Sequence, residues 1–405
     1  MINEKSLKAV EQAAFSKHFC RPLYDSYCFS QIPKTIRSLF TPTLEGLPPD
    51  TCKAGPYDHV VLLFLDGFGW TFFEKFHCAL EEKGIASKIT SMFPSTTAAH
   101  VTCINTDLPP NQSGIYEWFM YEPKLDEIIA PLPFCFAGEF KQNTLPLDPK
   151  SLFPQKTLYH QLQDEGIQSY AIQPASICHT PYSDAILAGA NVVSYNQPKE
   201  GLDKLLSCLN GKTYCYFYYG EIDAIGHRKG IDSKEFADAI ENILREIEAF
   251  AERLPPKTAL LITADHGMVE VSPQNTYYLN KKIPNIAKHL QFGSRNKPLA
   301  PAGSPRDFFM HVRPECLSEL KEILEHFLEG KAEIYLTEEL LEQNFFGTKP
   351  STQNFLSRVG NLVILPYKGE AVWWYEKKLF EQNFYAAHGG LTREEMETLF
   401  LFIEI

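Results

Sequence analysis

Three carboxylates and three imidazoles stand in four short stretches of this chain: Asp66 in FLDGFGW, Asp223 and His227 in GEIDAIGHRKG, Asp265 and His266 in ITADHGMVE, and His388 in AAHGGLT. Carboxylate oxygens and imidazole nitrogens are what Zn²⁺ takes when no thiolate is offered, and six such groups are enough to surround two divalent ions. Beside the first stretch in sequence lies the turn FPSTTAAH, which contains Thr97. A hydroxyl at a helix N-terminus next to a cation is drawn toward its alkoxide form and becomes a nucleophile. Together these residues read as two-metal chemistry on a phosphate ester.

Each stretch also has a plainer reading. An Asp-Gly after a strand is commonly a turn or helix cap, and the hydroxyls of PSTT are the usual N-cap residues. Asp223 and His227 are four apart, a spacing that lets both face one ion on a helical turn but that also suits a solvated pair. Asp265-His266-Gly267 is more telling, because two ionisable groups directly after the apolar run TALLIT are costly to bury unless paired or metal-bound. His388, followed by two glycines, suits close approach of backbone to a site. His59, His77, His160, His289 and His326 have no such context and read as structural. Co-occurrence at the ends of strand-like runs decides for the ligand reading.

Those runs imply the scaffold. HVVLLFLDG, TYCYFYYGEID and TALLITADHG are apolar, β-favouring segments that each end at an acid, as buried parallel strands do when ligand groups gather at their carboxyl ends. Between the second and third, SKEFADAIENILREIEAFAERL carries apolar residues at helical spacing and predicts the crossover helix. TLYHQLQDEGIQSYAIQPAS predicts another helix followed by a strand. The expected class is α/β, a mostly parallel sheet between helices. Residues 1–57, rich in proline near their end, read as a wrapping segment, and 58–271 with 385–405 as the core. Residues 272–384, with the helix LSELKEILEHFLEG and the strands NLVILPY and AVWWY, read as a smaller α+β insertion or cap.

At 405 residues with 44% hydrophobic and 22% charged residues, a large ordered core is expected. A net charge of −12 argues against binding a nucleic-acid polymer, though bound cations reverse the field locally and leave a small phosphate ester open. Ten scattered cysteines without a CxxC predict reduced, mostly buried thiols. No apolar run is long enough for a signal peptide or a membrane span, so a cytoplasmic protein is expected, with export that needs no cleaved signal left open. Oligomeric state is not legible.

In order along the chain, LFLDGFGW, FPSTTAAHVTCINTDLPPNQSGIYEWFMYEP, GEIDAIGHRKG, LLITADHGM and AAHGGLTREEM resemble the alkaline phosphatase superfamily, and within it the type I phosphodiesterase / nucleotide pyrophosphatase-phosphodiesterase family, from about residue 58 onward. That resemblance implies an alkaline-phosphatase-like core and two divalent ions, Zn²⁺ before Mn²⁺. One would be held by Asp223, His227 and His388, the other by Asp66, Asp265, His266 and the oxygen of Thr97. It implies that Thr97 attacks phosphorus and forms a phosphothreonine that water then releases. Two positions depart from the family pattern. Ala98 stands where nucleotide-cleaving members carry a base-stacking phenylalanine, and His100 aligns with an asparagine that donates to a phosphoryl oxygen, so His100 is the expected donor in its place. From the aromatic stretch YEWFMY, Trp118 and Tyr121 are the candidates to line the leaving-group pocket.

The function expected is hydrolysis of a phosphodiester or pyrophosphate bond in a small phosphorylated substrate, with a nucleotide among the candidates. A phosphomonoesterase, phosphonate hydrolase or phosphomutase is the alternative on the same metal core. Monoester chemistry wants a further cation against the extra charge, and no residue announces itself for it. A sulfatase is disfavoured by the lack of a C-x-P-x-R stretch. A binding protein without turnover is a third reading, opposed by the complete set of candidate ligands.

Overall fold

The computed structural model describes every residue except 43–44, 77–78 and 141–143; the histidine and cysteine at 77 and 78, read above as structural and reduced, fall outside the described residues. A seven-stranded sheet organises the chain. In chain order its strands are β1 (His59–Leu65), β2 (Gly84–Thr90), β3 (Gln168–Pro174), β4 (Asn191–Tyr195), β5 (Thr213–Tyr219), β6 (Thr258–Thr263) and β7 (Glu397–Glu404), and across the sheet they run β2-β7-β6-β1-β5-β3-β4. Strands β6, β1, β5, β3 and β4 are mutually parallel, while β7 is antiparallel to both β6 and β2.

All seven residues of β1 are buried, which is why HVVLLFL shows no polar alternation: a central parallel strand is covered on both faces. Burying each Val, Leu or Phe there stabilises the fold by about 1.5–3 kcal/mol. Helix α3 (Lys234–Ala251), which follows α1 (Thr97–Thr106) and α2 (Glu221–Lys229), covers one face with Phe236, Ile240, Ile243, Leu244, Ile247 and Phe250, the apolar stripe expected of the crossover. Because that crossover joins β5 to β6 on either side of β1, three neighbouring strands point their carboxyl ends to one edge. Asp66, Asp223 and Asp265 all follow at that edge.

The N-terminal segment lies along the free side of β2. Asn3 N–H donates to Ala86 O, and Cys28 forms a parallel bridge with Thr90, which covers what would otherwise be an open edge. Within 272–384 the strands Ala302–Ser304, Asp307–Met310, Ala332–Leu336 and Leu362–Pro366 form a separate four-stranded sheet, packed with the helix Leu317–Phe327. Val372–Trp373, from the AVWWY run, pairs with Tyr277–Tyr278 instead. A small sheet at Met120–Glu122, Glu127–Ala130 and Cys135–Phe136 was not foreseen from the sequence; its strands are too short to show a period. Every described cysteine is a free thiol. Among the described residues, no helix is long and apolar enough to cross a membrane.

Candidate metal and catalytic site

Two triads form at the sheet edge. Asp66, Asp265 and His266 are fully buried, and Asp223, His227 and His388 are half-buried; within each triad the candidate ligand atoms lie within 4.8 Å of one another. Asp66 follows β1 directly, with its backbone N–H bonded to Tyr219 O on the neighbouring strand. Gly67 then takes a φ of +76°, and its N–H donates to Asp265 Oδ1 (3.1 Å), tying the first and third strand ends together. A side chain at Gly267 would collide with Glu394 O, only 2.1 Å from where its Cβ would sit, so the chain after His266 passes a gap only glycine fits. Asp223 and His227 share one face of α2, their Oδ1 and Nε2 3.3 Å apart. His388, close after the segment 272–384, lies beside them, Nε2 3.5 Å from Asp223 Oδ1.

The histidines are oriented by backbone. Nδ1 of His227 bonds Ala386 O (2.7 Å), that of His266 bonds Gly267 O (3.0 Å) and that of His388 bonds Ser95 O (2.9 Å). A carbonyl only accepts, so Nδ1 carries a hydrogen in each ring and Nε2 is the nitrogen left to face a cation, on His266 once its second proton is lost. Asp223 Oδ1 and Asp265 Oδ2 are buried without any hydrogen-bond partner. Orphaned buried oxygens of this kind cost free energy unless something else satisfies them. A cation at each triad would do so, and the donor set fits Zn²⁺.

Electrostatics point the same way. Burial, and then the charges of Asp265 and Asp223, push the Asp66 carboxyl well above the ordinary carboxylate range. Burial disfavours charge on His266 too, but Asp265, Asp66 and Asp223 outweigh it and raise its pKa to about 10. Asp265 is likewise buried, yet the charge of His266, whose Nε2 lies 3.2 Å from Oδ2, holds it below the ordinary range. Burial and the neighbouring His266 and His227 keep His388 far below the usual imidazole value. The cluster thus carries excess negative charge, which the raised proton affinities of His266 and Asp66 relieve in the protein alone.

Thr97 opens α1, with Thr96 as its N-cap. Its Oγ1 lies 3.3 Å from Asp66 Oδ1 and 3.3 Å from His266 Nε2, so the hydroxyl sits against the buried triad at the positive end of a helix. Next to it opens a cavity of about 590 Å³ lined by Thr96, Thr97, Asp223, His227, His388 and a wall of aromatic rings.

The other expected site residues divide. Trp118 lines the cavity. Tyr121 does not: its hydroxyl donates to Asp126 Oδ1 (2.7 Å) and its ring packs on His311. His100 is turned away from the reaction space and wholly buried. Its Nε2 accepts from Met92 N–H (2.9 Å) and lies 2.8 Å from Ser91 Oγ, while its Nδ1 bonds Thr96 O (2.7 Å). Burial lowers its pKa to about 4. A neutral ring with its one N–H committed to Thr96 has no hydrogen left for a phosphoryl oxygen, so the donor role expected of His100 gives way to holding the turn before Thr97.

Several supporting residues escaped the sequence reading. Tyr218, near the end of β5, donates to Asp66 Oδ2 at 2.5 Å; its register partner on β1 is Phe64, so it could have been sought one step from the strand-end acid. Ser95 accepts from Gly389 N–H and donates to Gly390 O, fastening the Thr97 turn to the His388 loop. That loop is further held by Glu395, which accepts from Gly390 N–H and Thr392 Oγ1 and pairs in two hydrogen bonds with the fully buried Arg306. Glu117 and Asp307 are buried carboxyls behind Thr96 with one unpartnered oxygen each, Oε1 and Oδ2.

A family model described as type I phosphodiesterase / nucleotide pyrophosphatase matches residues 60–391. Ectonucleotide pyrophosphatase/phosphodiesterase family member 1 of Mus musculus is 25% identical over 279 residues, 64% of this chain and 29% of that protein. The chain therefore aligns with less than a third of that relative. Murine ectonucleotide pyrophosphatase / phosphodiesterase 5 superposes with a TM-score of 0.66 at 17% identity, covering 85% of this chain and 88% of that one; an inactive form of it has been solved in complex with AMP. Phosphonoacetate hydrolase from Sinorhizobium meliloti 1021, in complex with phosphonoformate, superposes at 0.61 with 16% identity over 85% and 89% of the two chains. At such identities the solved structures establish the fold, an α/β core with a large, mostly parallel sheet. The family model spans both triads and Thr97, and the chain belongs to the type I phosphodiesterase / nucleotide pyrophosphatase family.

Proposed function

We propose that this chain is a divalent-metal-dependent hydrolase of phosphodiester or pyrophosphate bonds, with Thr97 as the nucleophile. The observation that carries the reading is the position of Thr97 Oγ1, in contact with Asp66 and His266 of one triad and on the same cavity wall as the other triad. Asp66, Asp265 and His266 would hold one cation and Asp223, His227 and His388 the other. When bound, such a pair neutralises charge on the phosphoryl oxygens and favours the deprotonated form of a nearby hydroxyl.

The protein's own residues then divide the work. Asp66 accepts the Thr97 hydroxyl and, through Tyr218, is kept from rotating away. Thr97 Oγ bonds to phosphorus as the ester P–O bond breaks; its proton passes to water, and the departing oxygen takes one from water. A second water then displaces Thr97 from the phosphothreonine. The first-turn N–H groups of α1, left without intrahelical partners, would donate to the attacked phosphoryl group in the role that His100 cannot fill.

A diester is favoured over a monoester by the cavity's charge. Among the described residues lining it, Arg228 is the one Lys or Arg, and its side chain is 63% exposed beside Glu221. Among the described residues lining the cavity, no buried Lys or Arg waits for a dianionic phosphate. Rates on bis(4-nitrophenyl) phosphate and 4-nitrophenyl phosphate test this directly. The diester should be the better substrate, with turnover abolished by a chelator and by Thr97→Ala; turnover that survives Thr97→Ala would remove the proposed nucleophile.

A further inference from the structure

Resting on that reading of the site, the geometry points to a substrate class: we infer that the enzyme acts on phosphodiesters whose leaving alcohol is bulky and apolar. In-line attack by Thr97 expels the leaving oxygen on the side opposite Thr97 Oγ. Thr97 is fastened to the Asp66, Asp265 and His266 triad, so the departing group leaves toward Asp223, His227 and His388. On that side the imidazole of His227 is covered by Phe384, with ring centroids 4.4 Å apart. From Phe384 the cavity wall continues through Phe380, Phe119, Trp373 and Phe140. The rings form one connected surface, with Phe119 lying 5.7 Å from Phe380, 6.1 Å from Trp373 and 6.1 Å from Phe140.

Two further observations fit an apolar occupant. Phe384 is 41% exposed, Phe140 51% and Leu379 39%, and Trp118 is 37% exposed; all four line this cavity. Large apolar side chains left in water around a reactive hydroxyl lose that exposure when an apolar group enters, which is where binding free energy comes from. In the second place, a polyphosphate leaving group would need fixed cations. Among the described residues lining the cavity, Arg228 is the one Lys or Arg, exposed at the rim.

The test is a homologous series: methyl 4-nitrophenyl phosphate and congeners bearing propyl or hexyl on the phenol ring, which change apolar size with little change in leaving-group acidity. At about 0.8 kcal/mol per buried methylene, kcat/KM should rise about two- to fourfold per methylene until the cavity is filled. Phe140→Ser, at an exposed position, should flatten that dependence on chain length, with thermal denaturation confirming the fold. A flat series in the wild-type protein overturns the inference. So does faster turnover of the 4-nitrophenyl ester of thymidine 5′-monophosphate than of every alkylated congener, which would place the selective contacts on the group retained on phosphorus and not on the leaving alcohol. Lack of turnover of all diesters, by contrast, would refute the phosphodiesterase reading itself.

Discussion

Replacing Tyr218 by phenylalanine isolates one hydrogen bond at the buried triad. The ring would remain packed 5.6 Å from Phe64, so the change is the loss of an O–H donor 2.5 Å from Asp66 Oδ2. A hydrogen bond to a charged acceptor contributes about 1.5–3 kcal/mol, and a buried oxygen left without its donor bears the desolvation cost. With a cation at the triad Asp66 must be ionised, and the whole of that loss falls on the bound state. Without one, Asp66 is already held well above the ordinary carboxylate range and can protonate, which removes most of the need for the donor. Tyr218→Phe should therefore weaken Zn²⁺ about 10–100-fold, the effect usual for a residue that orients a ligand. It should also lower the melting temperature more in Zn²⁺ than in chelator. A competition titration against a chromogenic chelator measures the first, and paired thermal scans the second. A change in Zn²⁺ affinity under twofold, or equal destabilisation with and without metal, would refute the positioning role.

Three other outcomes follow from the same geometry. In the metal-free protein, folding stability supplied by His266, whose pKa is raised from 6.5 to about 10, is complete below pH 6.5 and disappears as pH climbs to 10; binding a cation must expel that proton, so Zn²⁺ affinity should rise about tenfold per pH unit from 7 to 9, and a pH-independent affinity would contradict the assignment. Burial raises Glu117 from 4.5 to about 7, so the stability its protonated form supplies is full below pH 4.5 and lost by pH 7 and above; urea denaturation of Glu117→Gln should lack this fall, and parallel pH profiles for the two proteins would refute it. Gly267→Ala places a Cβ 2.1 Å from Glu394 O, so backbone must shift: a loss of about 1–3 kcal/mol in denaturation is expected, together with weaker Zn²⁺ binding because His266 moves with it.

The parts of this site that could be read from the sequence are those whose chemical type conflicts with their local pattern. TALLIT demands burial, and Asp265-His266 follows it at once; that conflict is visible without coordinates, and the same holds for Asp66 after HVVLLFL. The strands and the crossover were legible for a related reason, since a buried parallel strand and an amphipathic helix each leave a period in the chain. Pairings across long separations leave none. Arg306 and Glu395 are 89 residues apart, Tyr218 and Asp66 are 152 apart, and neither partner looks unusual alone. His100 shows the limit from the other side. Its position was read as a donor because of where it stands after Thr97, yet Ala98 through Thr106 are buried around the whole helix, and ALA-, VAL- and CYS-type neighbours already carried that signal. A histidine in such a helix must be neutral and must spend its ring nitrogens on nearby backbone, as His100 does with Met92 and Thr96. Residue type says which groups can do chemistry; burial on every side says which of them are already committed, and in this protein it leaves Thr97, at the first turn and only half-buried, open to the cavity.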